Sequence, residues 1–150
     1  MIEIKNLSKA YERQIIADLS FAFPDKGLVL IRGESGSGKT TLFRILLGLT
    51  PPDSGTVTGL ENKKLSPLFQ EDRFLPWESL WNNLLLVRTR KTQDLALLET
   101  LLRRFGLWEH RKKKPAELSG GMKERGAIVR SLYYGGDVYL WDEPTKELDE

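Results

Sequence analysis

Cysteine is absent from the 150 residues. That excludes disulfides and thiolate metal centres, and it permits a reducing compartment without demonstrating one. No apolar run approaches the ~18 residues that a membrane span requires. The N-terminal Met1-Ile2-Glu3-Ile4-Lys5 alternates like a strand and carries no apolar centre of a secretory signal. The expectation is a soluble protein whose membrane role, if it has one, comes through a partner. An excess of one charge sign is missing too. The 23 basic and 21 acidic residues leave a net charge of +2, which makes no electrostatic case for a nucleic-acid partner. Histidine occurs once, as His110, and reads as a surface residue near a helix end. A chain of this length can bury one real core.

Against these absences stands one dense motif. Gly33-Glu34-Ser35-Gly36-Ser37-Gly38-Lys39-Thr40 fits G-x-x-x-x-G-K-[ST], the phosphate-binding loop of nucleoside triphosphatases. Composition alone would produce such a match in about one of a few hundred chains of this length. Glycine lets the backbone curl so that successive N–H groups face phosphate oxygens. In this pattern Lys39 reaches the β- and γ-phosphates, the Thr40 hydroxyl holds magnesium, and the following helix adds the positive end of its dipole. The flanks suit the motif. Leu28-Val29-Leu30-Ile31 reads as a buried parallel strand, and Thr41-Leu42-Phe43-Arg44-Ile45-Leu46-Leu47-Gly48 as the start of an apolar helix.

Along the rest of the chain the pattern alternates between short strands and helices. Residues 1–33 read as strands and turns, with Pro24-Asp25-Lys26-Gly27 closing a strand that ends at Phe23. Thr50-Pro51-Pro52-Asp53-Ser54-Gly55 is a loop, and Thr56-Val57-Thr58 and Pro67-Leu68-Phe69-Gln70 are short strands. Leu95, Leu98, Leu101, Leu102 and Phe105 recur at helical spacing, with Arg103 and Arg104 suited to the negative end and Gly106 placed to stop the helix. Arg111-Lys112-Lys113-Lys114 reads as a solvated basic face. A second helix is expected from Gly121 to about Tyr134, with Ile128, Val129 and Leu132 inward.

Asp137-Val138-Tyr139-Leu140-Trp141 reads as another buried strand, ending in Asp142-Glu143-Pro144. Open α/β sheets bind ligands beyond the carboxyl ends of their strands. Asp142 there suits a magnesium ion held through water. Glu143 offers a second carboxylate as general base for an attacking water.

With these pieces in order, the chain resembles the ATP-binding cassette (ABC) ATPases. Leu118-Ser119-Gly120-Gly121-Met122 is similar to the family signature, usually written L-S-G-G-Q; Gln70 to the Q-loop glutamine; Tyr11 to the aromatic that stacks on adenine; Ser54-Gly55-Thr56-Val57 to the strand after the first helix; and Lys146-Glu147-Leu148-Asp149 to the D-loop. The resemblance implies an α/β fold of the P-loop NTPase type. It has a mainly parallel sheet with flanking helices, an N-terminal antiparallel β part, and a helical subdomain over about 77–133 within one domain spanning 1–150. It implies ATP and Mg²⁺ as cofactors, with ATP held by Tyr11, the loop from Gly33 through Glu34, Ser35, Gly36, Ser37, Gly38, Lys39 and Thr40 to Thr41, and Gln70. Thr40, Gln70 and Asp142 would serve the metal and Glu143 the catalysis. Two copies would dimerise head to tail, Leu118, Ser119, Gly120, Gly121 and Met122 of one capping the ATP of the other.

The stretch Gln70-Glu71-Asp72-Arg73-Phe74-Leu75-Pro76-Trp77, with Met122 in the signature, resembles importer ATPases for nitrate, sulfonates and taurine. That resemblance implies transmembrane permease subunits as partners and a cytoplasmic location on the inner face of the membrane. Trp77, Leu80 and Trp81 would either contact a permease helix or pack the helical subdomain; the two readings are compatible. A non-transport ABC ATPase and a nucleotide-binding module with little turnover stay open as alternatives.

Three features depart from the family pattern. Lys146 replaces a small D-loop residue, Trp141 is bulky for its place, and the strand and histidine that follow in the family have no counterpart before Glu150. The last point raises three expectations: a fragment, a chain supplemented by another polypeptide, or a short divergent ATPase. The fragment is the preferred one.

Overall fold

The computed structural model describes residues 1–144; the D-loop-like Lys146-Glu147-Leu148-Asp149 lies outside the described residues. The chain divides into two compact units, Met1–Lys63 and a second that begins at Lys64.

In the first unit, β1 (Ile2–Ala10) pairs antiparallel with β2 (Gln14–Phe23) on one side and β3 (Ser54–Thr58) on the other. Ile4 and Leu7 of β1 and Ile16 of β2 are buried. The β1–β2 ladder shifts register between Ile4 and Leu7, where Asn6 and, opposite, Asp18 adopt left-handed φ values of 47° and 48°. Asn and Asp tolerate that region better than other side chains do. They also pair there: Asn6 Nδ2 donates to Asp18 Oδ1 at 2.8 Å, Asn6 N–H to Ser20 Oγ at 2.9 Å, and Asp18 N–H to Ser8 Oγ at 3.0 Å. The irregular ladder therefore keeps its donors satisfied.

Helix α1 (Lys39–Leu46) buries Leu42, Phe43, Ile45 and Leu46. Residues 28–31, expected as a buried strand, form no strand. Leu28, Val29, Leu30 and Ile31 are all exposed, Leu28 at 95%. A four-residue strand owes its existence to the neighbours it pairs with, and among the described residues none pairs with this run.

The second unit sets two parallel strands beside helices. β4 (Leu65–Leu68) pairs with β5 (Val138–Trp141), Leu65 opposite Val138 and Leu68 opposite Trp141. β4 begins two residues before the expected strand, so Phe69 and Gln70 lie beyond its end. β5 is less buried than its composition suggests, with Tyr139 and Trp141 exposed.

Helices α2 (Leu80–Leu85), α3 (Leu95–Arg104) and α4 (Gly120–Tyr134) supply most of the core, and short 3-10 turns at Trp108–His110 and Pro115–Glu117 connect the last two. Leu80, Leu84, Leu98, Leu102, Leu107, Val129 and Tyr133 are fully buried in one cluster. Each helix starts on a polar cap: Ser79, Asp94 and Ser119 accept from Asn82, Leu97 and Met122 N–H. Gly106, at φ 66°, ends α3 in the left-handed conformation expected of it. Asn83 is the buried polar exception in α2. Its side chain accepts from Leu75 N–H at 2.7 Å and donates to the Leu75, Glu78 and Ser79 carbonyls, stapling the 75–79 turn to the helix.

Truncating Leu102 to alanine should lower unfolding stability by about 2–5 kcal/mol, read from denaturant titration. Asp53 makes a second prediction. Its carboxylate takes hydrogen bonds from Lys9 Nζ and Ala10 N–H, each at 2.7 Å, and these, Lys9 first, hold its pKa below the usual carboxylate value. A lowered folded pKa contributes stability above the unfolded pKa, and that contribution is lost as pH falls through the folded value. Asp53→Asn should therefore be less stable than the parent at neutral pH, with the gap closing in acid-unfolding curves at low pH.

Candidate nucleotide-binding site

The phosphate-loop motif folds as a turn running into α1. Ser37 N–H donates to the Glu34 carbonyl at 3.2 Å, and Gly36 and Gly38 sit at φ 78° and 95°. Side-chain-bearing residues avoid this region, so the two glycines are what lets the loop curl. Gly38 also packs tightly: a Cβ there would stand 3.0 Å from Ile15 Cγ2. It is the N-cap of α1, whose first turn carries no acidic side chain to compete for the helix N–H groups. Lys39 turns back over the loop, its Nζ donating to the Gly33 and Glu34 carbonyls at 2.8 and 2.9 Å. Glu34, Ser35, Ser37 and Thr40 are exposed and Thr41 half-buried. Gly33, Ser37, Gly38 and Lys39 line a cavity of about 280 Å³ with Ile15 and Ile16 of β2. Tyr11 stands at the β1–β2 hairpin and is 58% exposed, with Lys9 Nζ 5.5 Å from the centre of its ring.

The acidic end lies in the second unit. Asp142 follows β5 and is buried, its N–H held by the Leu68 carbonyl at 3.0 Å. Its carboxylate takes no hydrogen bond or ion pair among the described residues, an arrangement that suits a cation. Within this unit the Asp142 carboxylate and the Gln70 amide oxygen are oxygen donors, the chemistry magnesium prefers. Glu143 has φ 50°, a strained setting of the kind that clusters at active sites. Gln70 Nε2 donates to Glu143 Oε2 at 3.3 Å. These two line a pocket of about 130 Å³ together with Asp72, Gly120, Lys123 and Glu124. The structure thus brings Gln70, Glu143 and the start of α4 together, while the phosphate loop is described within its own unit.

The signature-like residues divide by burial. Leu118 is a core side chain, Ser119 caps α4 from an exposed position, and Gly120, Gly121 and Met122 are half-buried in its first turn. Arg130, which the sequence reading passed over, secures the 72–74 segment to α4. Its guanidinium donates to the Asp72 and Arg73 carbonyls and lies 4.7 Å from the Phe74 ring centre. Burial, opposed by the Asp72 carboxylate, holds its pKa below the ordinary guanidinium value. Lys123 reaches Asp72 at 3.8 Å.

Trp141, out of place by family pattern, donates from Nε1 to Ser131 Oγ at 2.9 Å, and Ser131 also binds Ser66 in the core. Of Trp77, Leu80 and Trp81, read as either a permease contact or packing of the helical part, Leu80 is fully buried in the core at the start of α2. Trp81 is half-buried edge-on against Trp108, and Trp77 is 65% exposed. His110 is half-buried rather than on the surface, with its Nδ1 buried and unpartnered among the described residues.

Comparison with known proteins adds four findings. Residues 16–146 match the family model described as ABC transporter. The chain is 38% identical over 149 residues to the aliphatic sulfonates import ATP-binding protein SsuB 1 of Paracoccus denitrificans, covering 99% of this chain and 61% of that protein. It is 37% identical over 156 residues to the energy-dependent translational throttle protein EttA of Mycobacterium tuberculosis, covering 99% of this chain and 28% of that one. Among solved structures, the dimeric post-hydrolysis state of the ATP-binding cassette MJ0796 bound to ADP and Pi superposes with a TM-score of 0.87 at 25% identity, over 100% of this chain and 77% of the other. The chain therefore spans 61% and 28% of the two curated relatives' length.

Ser119 donates no charge to its helix, only a cap. Ser119→Ala should cost about 1 kcal/mol of stability in thermal or denaturant unfolding, and Ser119→Asp should recover most of it.

Proposed function

Because the chain belongs to the ABC transporter family, we propose that it is the ATP-binding and hydrolysing part of an importer for a small solute of the nitrate, sulfonate or taurine class. The observation that carries this reading is the phosphate loop: two left-handed glycines, a lysine drawn across the loop, and a helix N-terminus free of acidic side chains. Such an array of N–H donors and one ammonium suits a polyanion. Likeness to a sulfonate-import protein supports the solute class, and so does the exposed Trp77, which offers an apolar anchor to a permease helix.

In this reading the loop from Gly33 to Thr41 binds the phosphates and Tyr11 stacks on the base. The Thr40 hydroxyl of the first unit, and Gln70 and Asp142 of the second, are the groups that would hold magnesium, whose charge would neutralise that of the phosphates. Glu143 accepts the proton of the attacking water, and its contact with Gln70 keeps the carboxylate oriented. Two copies close head to tail, each Ser119 and its glycine N–H groups facing the other copy's phosphate, and their opening and closing drives permease subunits at the cytoplasmic face of the membrane.

One observation favours a second reading, a non-transport ABC ATPase: the similarity to a translational throttle protein over nearly the whole chain. Co-purification separates the two: capture of a hydrophobic membrane subunit supports the importer, and its absence supports the alternative.

Lys39→Ala should weaken Mg-ATP binding at least about tenfold, since a charge-assisted contact is worth roughly 1.5–3 kcal/mol. An unchanged titration would remove the site. Glu143→Gln should bind Mg-ATP normally yet release phosphate about 10²–10⁴ times more slowly.

A further inference from the structure

The phosphate loop has a second cation beside it. Arg13 lies on the turn between β1 and β2, where Tyr11 N–H donates to the Arg13 carbonyl at 3.1 Å and Ala10 pairs with Gln14. This turn sets Tyr11 and Arg13 on one short, hydrogen-bonded stretch of backbone. The Arg13 guanidinium reaches the phosphate loop: its Nη2 is 3.4 Å from the point a Cβ would occupy on Gly36.

Its side chain makes no hydrogen bond or ion pair among the described residues. Lys39 is different, with its ammonium engaged by two loop carbonyls. Glu12 and Glu34, the carboxylates nearest in sequence to Arg13 and Gly36, are exposed and form no ion pair with it. A guanidinium beside this glycine loop has no counter-charge from the protein among the described residues. The arrangement is favourable once an anion lies between them, and guanidinium donors fit phosphate oxygens well.

We propose that Arg13 is a ligand of the phosphate chain of a nucleoside di- or triphosphate, so that one hairpin supplies both the stacking ring for the base and a cation for the phosphates. The proposal rests on the reading of the loop as a nucleotide site. It assigns Arg13 to phosphate and not to base, and this separates it from a merely structural role. The contribution is exposed to solvent, so it weakens as salt screens it.

The test compares the full chain with Arg13→Ala, Arg13→Lys and Lys39→Ala. A fluorescent ATP analogue is displaced by Mg-ATP, Mg-ADP and adenosine, at low and at higher salt. Arg13→Ala should weaken Mg-ATP and Mg-ADP roughly tenfold at low salt, with a smaller salt dependence and unchanged adenosine affinity. Arg13→Lys should regain part of the loss. Wild-type affinity for Mg-ATP in Arg13→Ala, with Lys39→Ala defective, overturns the role of Arg13 and leaves the site intact. Equal losses for adenosine and Mg-ATP overturn it as well, because they mean a disturbed hairpin. Lys39→Ala binding like the parent overturns the nucleotide site itself, and the proposal with it.

Discussion

Main-chain N–H groups bind phosphate only where the backbone can turn them to one side, and that conformation is open to few residues. Gly36 and Gly38 hold the loop in it, and much else in the first unit follows. A side chain on Gly38 would press on Ile15, so the same residue that frees the loop also lets it sit against β2. Lys39 then finds the Gly33 and Glu34 carbonyls within reach, and α1 begins at Gly38 with no side-chain cap. Conformation and packing are met by one short stretch of backbone.

The second unit is organised around α4. Its first turn carries the signature-like residues, and its later turns carry the core. Ser131 ties β4 through Ser66 and β5 through Trp141; Tyr133 is buried, and its hydroxyl accepts from Asp94 N–H at the start of α3. Arg130 holds the segment after Gln70 by two carbonyls and a ring. A shift of Gln70 against Glu143 would therefore be felt along the helix, because buried hydrogen bonds and close packing resist continuous deformation.

Much of this was legible from residue order. The phosphate loop was readable because its glycines, lysine and threonine fall at fixed spacing, and α3 and α4 because leucine periodicity and terminal glycines mark them. Asp142 and Glu143 were readable as the end of an apolar run. Less visible were Asn83, Arg130 and Tyr133. An amide, a cation and an aromatic in a helix look like surface or generic core until the chain that they bind is folded against them. Leu80 was open to two readings, contact surface or core, and only the folded chain separates it, fully buried, from the exposed Trp77.

The failed strand at residues 28–31 marks the boundary most clearly. Its branched apolar residues carry strand propensity, but that propensity is weak beside the ladder hydrogen bonds a neighbour must supply. Local order alone determined the loop, the helix caps and the acidic strand end, since each depends on the conformations of a few adjacent residues. Which carbonyl Arg130 grips, which hydroxyl Trp141 meets, and whether an apolar run gains partners were decided by tertiary structure, because those energies exist only between segments far apart in the chain.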